Sequence, residues 1–417
     1  MTARTIAGLE RGELAQLVRE WLLAGQLMDR AAMPHVIGAF GRDEMGDIAI
    51  DEWMGASPIY TRRVQQLLGY AGDTVDTLFK GLQLDIGAPP EFMDFRLKVI
   101  DAHHGEFWLD HCGALMDVEP MGDDYVRTMC HTIEDPTFDA TAMATSPYAR
   151  IRPIHRPPRA PADRHPHCHW TATIDPSREP LPEPEPALHV APTLAANLPV
   201  ATVDGGDEPG WHDYTAPMDP DLRMECFSAP ALRELLREVA IQSQLLVMSL
   251  HFAIERRHDR ATADSIVARQ FTGSAGLTSQ RLRDVFGLDD SPEAVARVLE
   301  LHPAFQPRDY VGVSIDVVGA VVRLGLSPCP ALDEPDRVNW LSLLVADPGR
   351  VGAALDSMVW GIDPHLQVEP AEPVDGEVMA WRTVRQDDRV AEPREVALTR
   401  FSSGADFRFS ETPVELG

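Results

Sequence analysis

Apolar residues near the N-terminus recur at helical spacing. Leu14, Leu17, Val18, Trp21 and Leu22 stand at i, i+3, i+4 and i+7, which lays one apolar face along a helix. Helical pattern continues from Arg11 to Leu82. A second helix around Thr61–Leu68 is predicted to stop at Gly69, since glycine tolerates the left-handed backbone that ends helices. The plan returns later in the chain. Ala231 to Phe252 is a long apolar-faced helix, and Ser279–Phe286 ends at Gly287. Ser291-Pro292-Glu293-Ala294 then opens a helix, with serine as N-cap and proline in the first turn.

Each helical stretch gives way to a different pattern. Phe95–Leu109 and Tyr310–Leu326 are rich in strand formers, and Val311, Val313 and Ile315 alternate with polar or small residues. A helix follows at Asp123–Met143 and again at Arg337–Met358. A strand pair closes each series: Arg150–Arg156 with His167–Ile174, and His365–Val368 with Glu377–Val384.

The two series match in detail. Glu52-Trp53-Met54-Gly55-Ala56-Ser57, with Arg63, Leu68 and Gly69, answers to Gln270-Phe271-Thr272-Gly273-Ser274-Ala275, with Arg281, Phe286 and Gly287, at identical spacing. Cys112-Gly113-Ala114-Leu115 with Asp117, Glu119 and Pro120 answers to Cys329-Pro330-Ala331-Leu332-Asp333-Glu334-Pro335. Asp135-Pro136 pairs with Asp347-Pro348, and Cys168-His169-Trp170 with Met379-Ala380-Trp381. A period of about 210–220 residues indicates tandem domains, not a solenoid. The expected fold is therefore α+β. Two related units, each a helical part followed by strand–helix–strand–strand, would pack about a pseudo-two-fold axis. The units span about residues 1–175 and 211–388. Residues 176–210, with their Glu-Pro repeats, read as an extended, solvated linker, and 389–417 as a polar tail in which Ala397–Phe409 could add a strand.

Composition narrows the function. The 417 residues are 44% hydrophobic, enough for real cores, and carry a net charge of −28. That charge disfavours nucleic acid and anionic membrane surfaces as partners. Five cysteines, an odd number, point to free thiols in a reducing compartment, and the first residues lack the apolar run of a signal peptide. No stretch approaches the length of a membrane span. The expected location is the cytoplasm and the expected partner a small molecule, with homo-oligomerisation left open.

Candidate chemistry concentrates in the first unit. Cys112, Cys130, His131, Cys168 and His169 lie on three elements that could converge, and thiolate plus imidazole suits zinc or manganese. Glu119 and Glu134 are candidate general bases. Spacing matches no established zinc signature, and His167 and His169 share one strand face while Cys168 and Trp170 share the other. Each residue also has a packing reading. Cys112 is matched by Cys329, Cys168 by Met379, and Cys130-His131 roughly by Ser342-Leu343. A Cys130 nucleophile with a histidine base is a further alternative. Gly55-Ala56-Ser57-Pro58 and Gly273-Ser274-Ala275-Gly276 read as close helix approaches or turns, not phosphate loops.

At these residues the chain resembles the L-2-amino-thiazoline-4-carboxylic acid hydrolase-like family of small α+β proteins. Cys329-Pro330-Ala331-Leu332 resembles the family's Cys-Pro-x-Leu run, and Cys112-Gly113-Ala114-Leu115 does so with glycine for proline. Cys130, Asp135 and Phe138 resemble its helix, and His167-Cys168-His169-Trp170 its closing strand. The resemblance covers about 95–174, and more loosely 310–384. It implies a metal-assisted hydrolase of a small cyclic or amide-containing molecule, with Cys112, Cys130 and Cys168 as the positions carried over. A non-catalytic binding or sensing protein is the competing class. The second unit, lacking most of these groups, would be a degenerate scaffold.

Overall fold

The computed structural model describes residues 6–335 and 338–410, without the side chains of 348–351. The first half runs α1 (Arg11–Phe40), α2 (Arg42–Leu67), α3 (Val75–Leu82), β1 (Met93–Asp101), β2 (His104–Cys112), α4 (Gly113–Val118) and α5 (Asp123–Arg127). A π-helical turn (Thr128–Ile133), α6 (Glu134–Met143), β3 (Ala149–His155) and β4 (Cys168–Ile174) complete it. After α7 (Glu185–Val190) come α8 (Ala229–Arg257), α9 (Arg260–Val285), α10 (Pro292–Glu300), β5 (Val313–Val318) and β6 (Val321–Leu326). The chain ends with α11 (Trp340–Ala346), α12 (Pro348–Ile362), β7 (Leu366–Ala371), β8 (Met379–Arg385) and α13 (Arg394–Thr399).

Local chemistry sets these boundaries. Glu10 and Glu13 form a reciprocal capping box at the start of α1. Gly69 and Gly287 take φ of 66° and 59° just past α2 and α9. The Tyr70 and Leu288 amides then reach back to the carbonyls of Gln65 and Arg283, closing each helix as its glycine leads one to expect. Ser291 accepts the Ala294 amide at 3.2 Å, as its N-cap position requires.

The fold is α+β, with two four-stranded antiparallel sheets ordered β1-β2-β4-β3 and β5-β6-β8-β7. In β4, Cys168 and Trp170 stand opposite Leu109 and Phe107; in β8, Met379 and Trp381 stand opposite Leu326 and Leu324. One apolar core runs through α1, α2, α8 and α9 and continues beneath the second sheet, from Leu14 and Trp21 to Leu246, Leu324 and Trp381. A second core beneath the first sheet holds Phe79, Phe92, Phe107 and Trp170. Gly55 and Gly273 sit where helices touch. A side chain at Gly55 would strike Ser249 of α8, and one at Gly273 would strike Thr399 of α13.

Two buried ion pairs cross between the halves with the same atoms. Arg63 of α2 donates Nε and Nη2 to Glu238 of α8 at 2.7 and 2.9 Å; Arg281 of α9 donates the same nitrogens to Glu20 of α1 at 2.9 and 3.1 Å.

The stretch 176–210 is not the solvated linker its Glu-Pro composition suggests. It contains α7 and buries Ala187, Val190, Thr193 and Ala195. Glu334 binds the amides of Leu194 and Ala195 at 2.9 and 2.8 Å, while Arg63 donates to the carbonyls of Ala196 and Leu198. The tail differs likewise. Its described part forms α13 rather than a strand, then a segment in which Asp117 accepts from Ser402 and Ser403, and Arg281 donates to Gly404 and Ala405. Composition misleads here because a few apolar side chains and satisfied backbone groups suffice to dock a short segment. Residues 411–417 and Arg337, the expected start of a helix, lie outside the described residues. The Asp-Pro pairs are not equivalent by place. Asp139 and Asp356 are, each accepting the amide of a following strand residue, Ile151 or Val368, at 3.0 and 2.7 Å. Asp135 lies in α6 one turn before Asp139, whereas Asp347 precedes α12. Among the described residues, no helix is long and apolar enough to cross a membrane.

Candidate functional site

Cys112, Cys130 and Cys168 come together from separate elements. Cys112 ends β2 and caps α4, its sulfur accepting the Leu115 amide at 3.3 Å; Cys130 lies on the π-helical turn and Cys168 opens β4. All three are buried in the core beneath the first sheet. Burial, followed by the nearby Glu134 carboxylate, pushes the Cys112 thiol up to about 12 and raises Cys130 and Cys168 well above the usual range. Protonated, buried thiols pack as small hydrophobes.

The imidazoles face elsewhere. His131 sets Nε2 2.6 Å from the Pro157 carbonyl oxygen, and His169 sits on the opposite sheet face from Cys168, 3.1 Å from Glu106. Strand alternation makes this separation unavoidable. The expected set Cys112, Cys130, His131, Cys168 and His169 is therefore not gathered around one point. Among the described residues, no group of three or more His, Cys, Asp or Glu side chains is arranged to hold a metal ion. Glu119 is also committed, taking a two-pronged ion pair from Arg159 at 2.8 and 2.9 Å.

Glu134 is different. It opens α6 directly after the π-helical turn, a distortion that re-aims side chains and recurs at functional sites. Its carboxyl lines a cavity of about 100 Å³ together with Gln26, Arg30, Tyr60 and Asp85. Among the described residues, no hydrogen bond engages that carboxyl. Burial drives its pKa up to about 8, against the opposing charge of Arg156. Asp85, after α3, takes Tyr60 Oη and the Gly87 amide on Oδ1, both at 2.7 Å, which leaves Oδ2 to the cavity. Burial outweighs both hydrogen bonds and holds Asp85 at about 6. Near neutral pH the cavity thus presents one ionised and one protonated carboxyl.

Arg30 supplies the positive charge. Its Nε donates to Asp29 at 2.7 Å, and Asp29 also accepts Trp53 Nε1 at 3.2 Å. Burial alone would depress Arg30, but Asp29 and Asp117 together hold it above its usual value. Glu52 lies behind this pair, wholly buried, with neither carboxyl oxygen hydrogen-bonded. Burial and then Asp29 raise it well above the carboxylate range, which favours its protonated form in the folded state. A folded state that holds a proton the unfolded chain releases loses stability as pH rises. Glu52→Gln should therefore raise the thermal midpoint, and by more at pH 8 than at pH 5. Calorimetry at the two pH values checks this, and an equal shift at both would contradict it. Gln270, at the matching place in α9, already stands as an amide there, donating to the Met28 carbonyl at 3.2 Å.

A second, larger cavity of about 340 Å³ shares Arg30, Trp53, Met129 and Ile133 with the first. Its walls are otherwise mainly apolar, and α13 and its tail supply Leu398, Phe401 and Ser402. Gln26, Asp29, Arg30, Tyr60 and Asp85 escape sequence reasoning because they share no motif. A signal does exist. Leu17-Val18-Arg19-Glu20 and Leu235-Leu236-Arg237-Glu238 align, and at that offset Asp29-Arg30 stand where the later helix has Val247-Met248. No family model matches the chain, and no curated protein or solved structure is significantly similar to it.

Proposed function

We propose that the first unit houses an acid–base site that hydrolyses a small cyclic or amide-containing molecule. The observation that carries this is the pair Asp85 and Glu134, two carboxyls lining one cavity with affinities for protons set apart by their surroundings. Ionised Asp85 takes a proton from water as its oxygen attacks the carbonyl carbon. Neutral Glu134 gives its proton to the departing nitrogen as the C–N bond breaks. Arg30 supplies positive charge for the oxygen that gathers negative charge, and Tyr60 holds the Asp85 carboxylate in place through its hydroxyl. Glu134 thus serves as acid rather than the base its sequence position suggests. The resemblance to the thiazoline-carboxylate hydrolase-like family agrees with this reaction class. A zinc or manganese ion, which that resemblance implies, would act as a Lewis acid. Only the thiols and Glu134 stand near one another, which is a poor fit, so no step is assigned to a metal.

We further read the chain as two tandem units related by a pseudo-two-fold axis, the second a degenerate copy. Supporting this are the common strand order, the reciprocal Arg63–Glu238 and Arg281–Glu20 pairs, and an exchange of trailing segments. The segment after the first unit is held by Glu334 of the second, and that after the second by Asp117 of the first. In the second unit Val247, Met248 and Phe271 replace Asp29, Arg30 and Trp53, which leaves no comparable charge.

A panel of primary amides, lactams and thiazolines, followed by mass spectrometry, tests the reaction. Hydrolysis by the wild type that Asp85→Asn abolishes is expected. Binding without turnover would favour the sensing alternative, and turnover unaffected by Asp85→Asn would place the chemistry elsewhere.

A further inference from the structure

The polar and apolar cavities abut on the same four side chains, Arg30, Trp53, Met129 and Ile133. The apolar space thus lies on the far side of these four side chains from Asp85 and Glu134. The carboxylates of that space are already committed: Asp29 to Arg30 and Trp53, Asp117 to Ser402 and Ser403. Apart from Arg30 and the Tyr125 hydroxyl, what remains for a ligand is hydrocarbon and sulfur, supplied by Met33, Ile37, Met45, Ala49 and Val118. The rim is apolar too. Met121 is 48% exposed and Phe401 85% exposed, and both line this cavity. Large apolar side chains held in water around an opening mark an entrance for an apolar molecule.

On the polar side, Gln26 is 4% exposed and lines the small cavity, yet its Oε1 has no hydrogen-bond partner. A buried amide without a partner costs free energy unless a ligand or water satisfies it. It matches an N–H donor placed between Asp85 and Glu134.

From this we infer that the substrate is an amphiphilic amide: an uncharged carboxamide head in the polar cavity, carrying an aliphatic or aromatic body that fills the apolar one. At about 30 Å³ for each liquid-packed group, the larger cavity takes a body of roughly ten non-hydrogen atoms. This inference rests on the acid–base site proposed above but concerns the body of the substrate rather than the reaction. The tail from the second unit completes the chamber, clasped to Asp117 and carrying Phe401.

The test is binding of linear primary carboxamides, from acetamide to decanamide, to the full chain by ligand-observed NMR and calorimetry. Affinity is expected to rise roughly three- to fourfold per methylene until the chamber is full, then level off. Ala49→Phe fills the chamber and should flatten the series. Phe401→Ser, at an exposed position that leaves folding undisturbed, should reduce its slope. Affinity independent of chain length in the wild type, no binding by any member, or an unchanged slope in both variants would overturn the inference. Length-dependent binding without hydrolysis would leave it standing and count against the acid–base reading alone. Hydrolysis of short amides without length dependence would do the reverse.

Discussion

Glu134→Gln is expected to lower hydrolysis by about 10²–10⁴-fold, the usual worth of a positioned acid. Glutamine keeps the shape of the protonated carboxyl but has no proton to give. The pH profile carries the sharper signature. Rate should rise as Asp85 ionises around pH 6 and fall as Glu134 loses its proton around pH 8, giving a bell. Because the folded state holds the Glu134 proton up to about 8 while an unfolded glutamate releases it near 4.5, this residue's contribution to stability falls as pH climbs between those values. The glutamine variant should lose that fall. It would be a poorer enzyme and, above neutral pH, a more stable protein, as expected where a site is built at the expense of stability. Rate profiles and urea melts of the two proteins across pH 5–9 check both halves.

Arg63→Met should cost on the order of 3 kcal/mol, because it takes the two-pronged partner from Glu238, 1% exposed, and leaves only the single Arg237 Nη1 contact at 3.0 Å. The loss exceeds that of an ordinary ion pair. Arg63 also satisfies the carbonyls of Ala196 and Leu198, so the segment after α7 should loosen with it. Adding Glu238→Leu should recover part of the loss by removing the under-paired charge, while Arg237 keeps Asp309 at 2.6 Å. Arg281→Met, with Glu20 and the carbonyls of Gly404 and Ala405, should behave alike. Denaturant melts of the singles and doubles give the coupling energy. A single-mutant cost below about 1 kcal/mol would show that these pairs act as exposed ones do.

Much of the fold is legible in the residues. Period and punctuation mark α2 and α9 through Gly69 and Gly287. The closing strand pairs are read as such, but each single strand-rich stretch before the helix, Phe95–Leu109 and Tyr310–Leu326, is in fact a hairpin, which makes four strands per sheet. The matched runs around Gly55 and Gly273 correctly point to close helix packing. The site is less legible for a physical reason. Cysteine and histidine draw attention because they bind metals, but here the thiols are pushed to their protonated form by burial, and strand alternation turns His169 away from Cys168. The groups that line the cavity come from α1, α2, the turn after α3 and the start of α6, with no fixed spacing to betray them. Comparison of the halves exposes only Arg30 and its neighbour Asp29, as charge where Val247 and Met248 are apolar, while Gln26 is matched by Gln244. The Pro-Glu stretch misleads in the opposite direction, since Glu334 and Arg63 satisfy its backbone and let it dock.

The most direct measurement is a carboxyl titration by NMR of protein labelled with ¹³C at glutamate and aspartate side chains. The signal missing from Glu134→Gln should titrate near pH 8, and the one missing from Asp85→Asn near pH 6. Finding both below about pH 5, in the ordinary carboxylate range, would mean that the cavity holds two plain carboxylates and no acid–base pair.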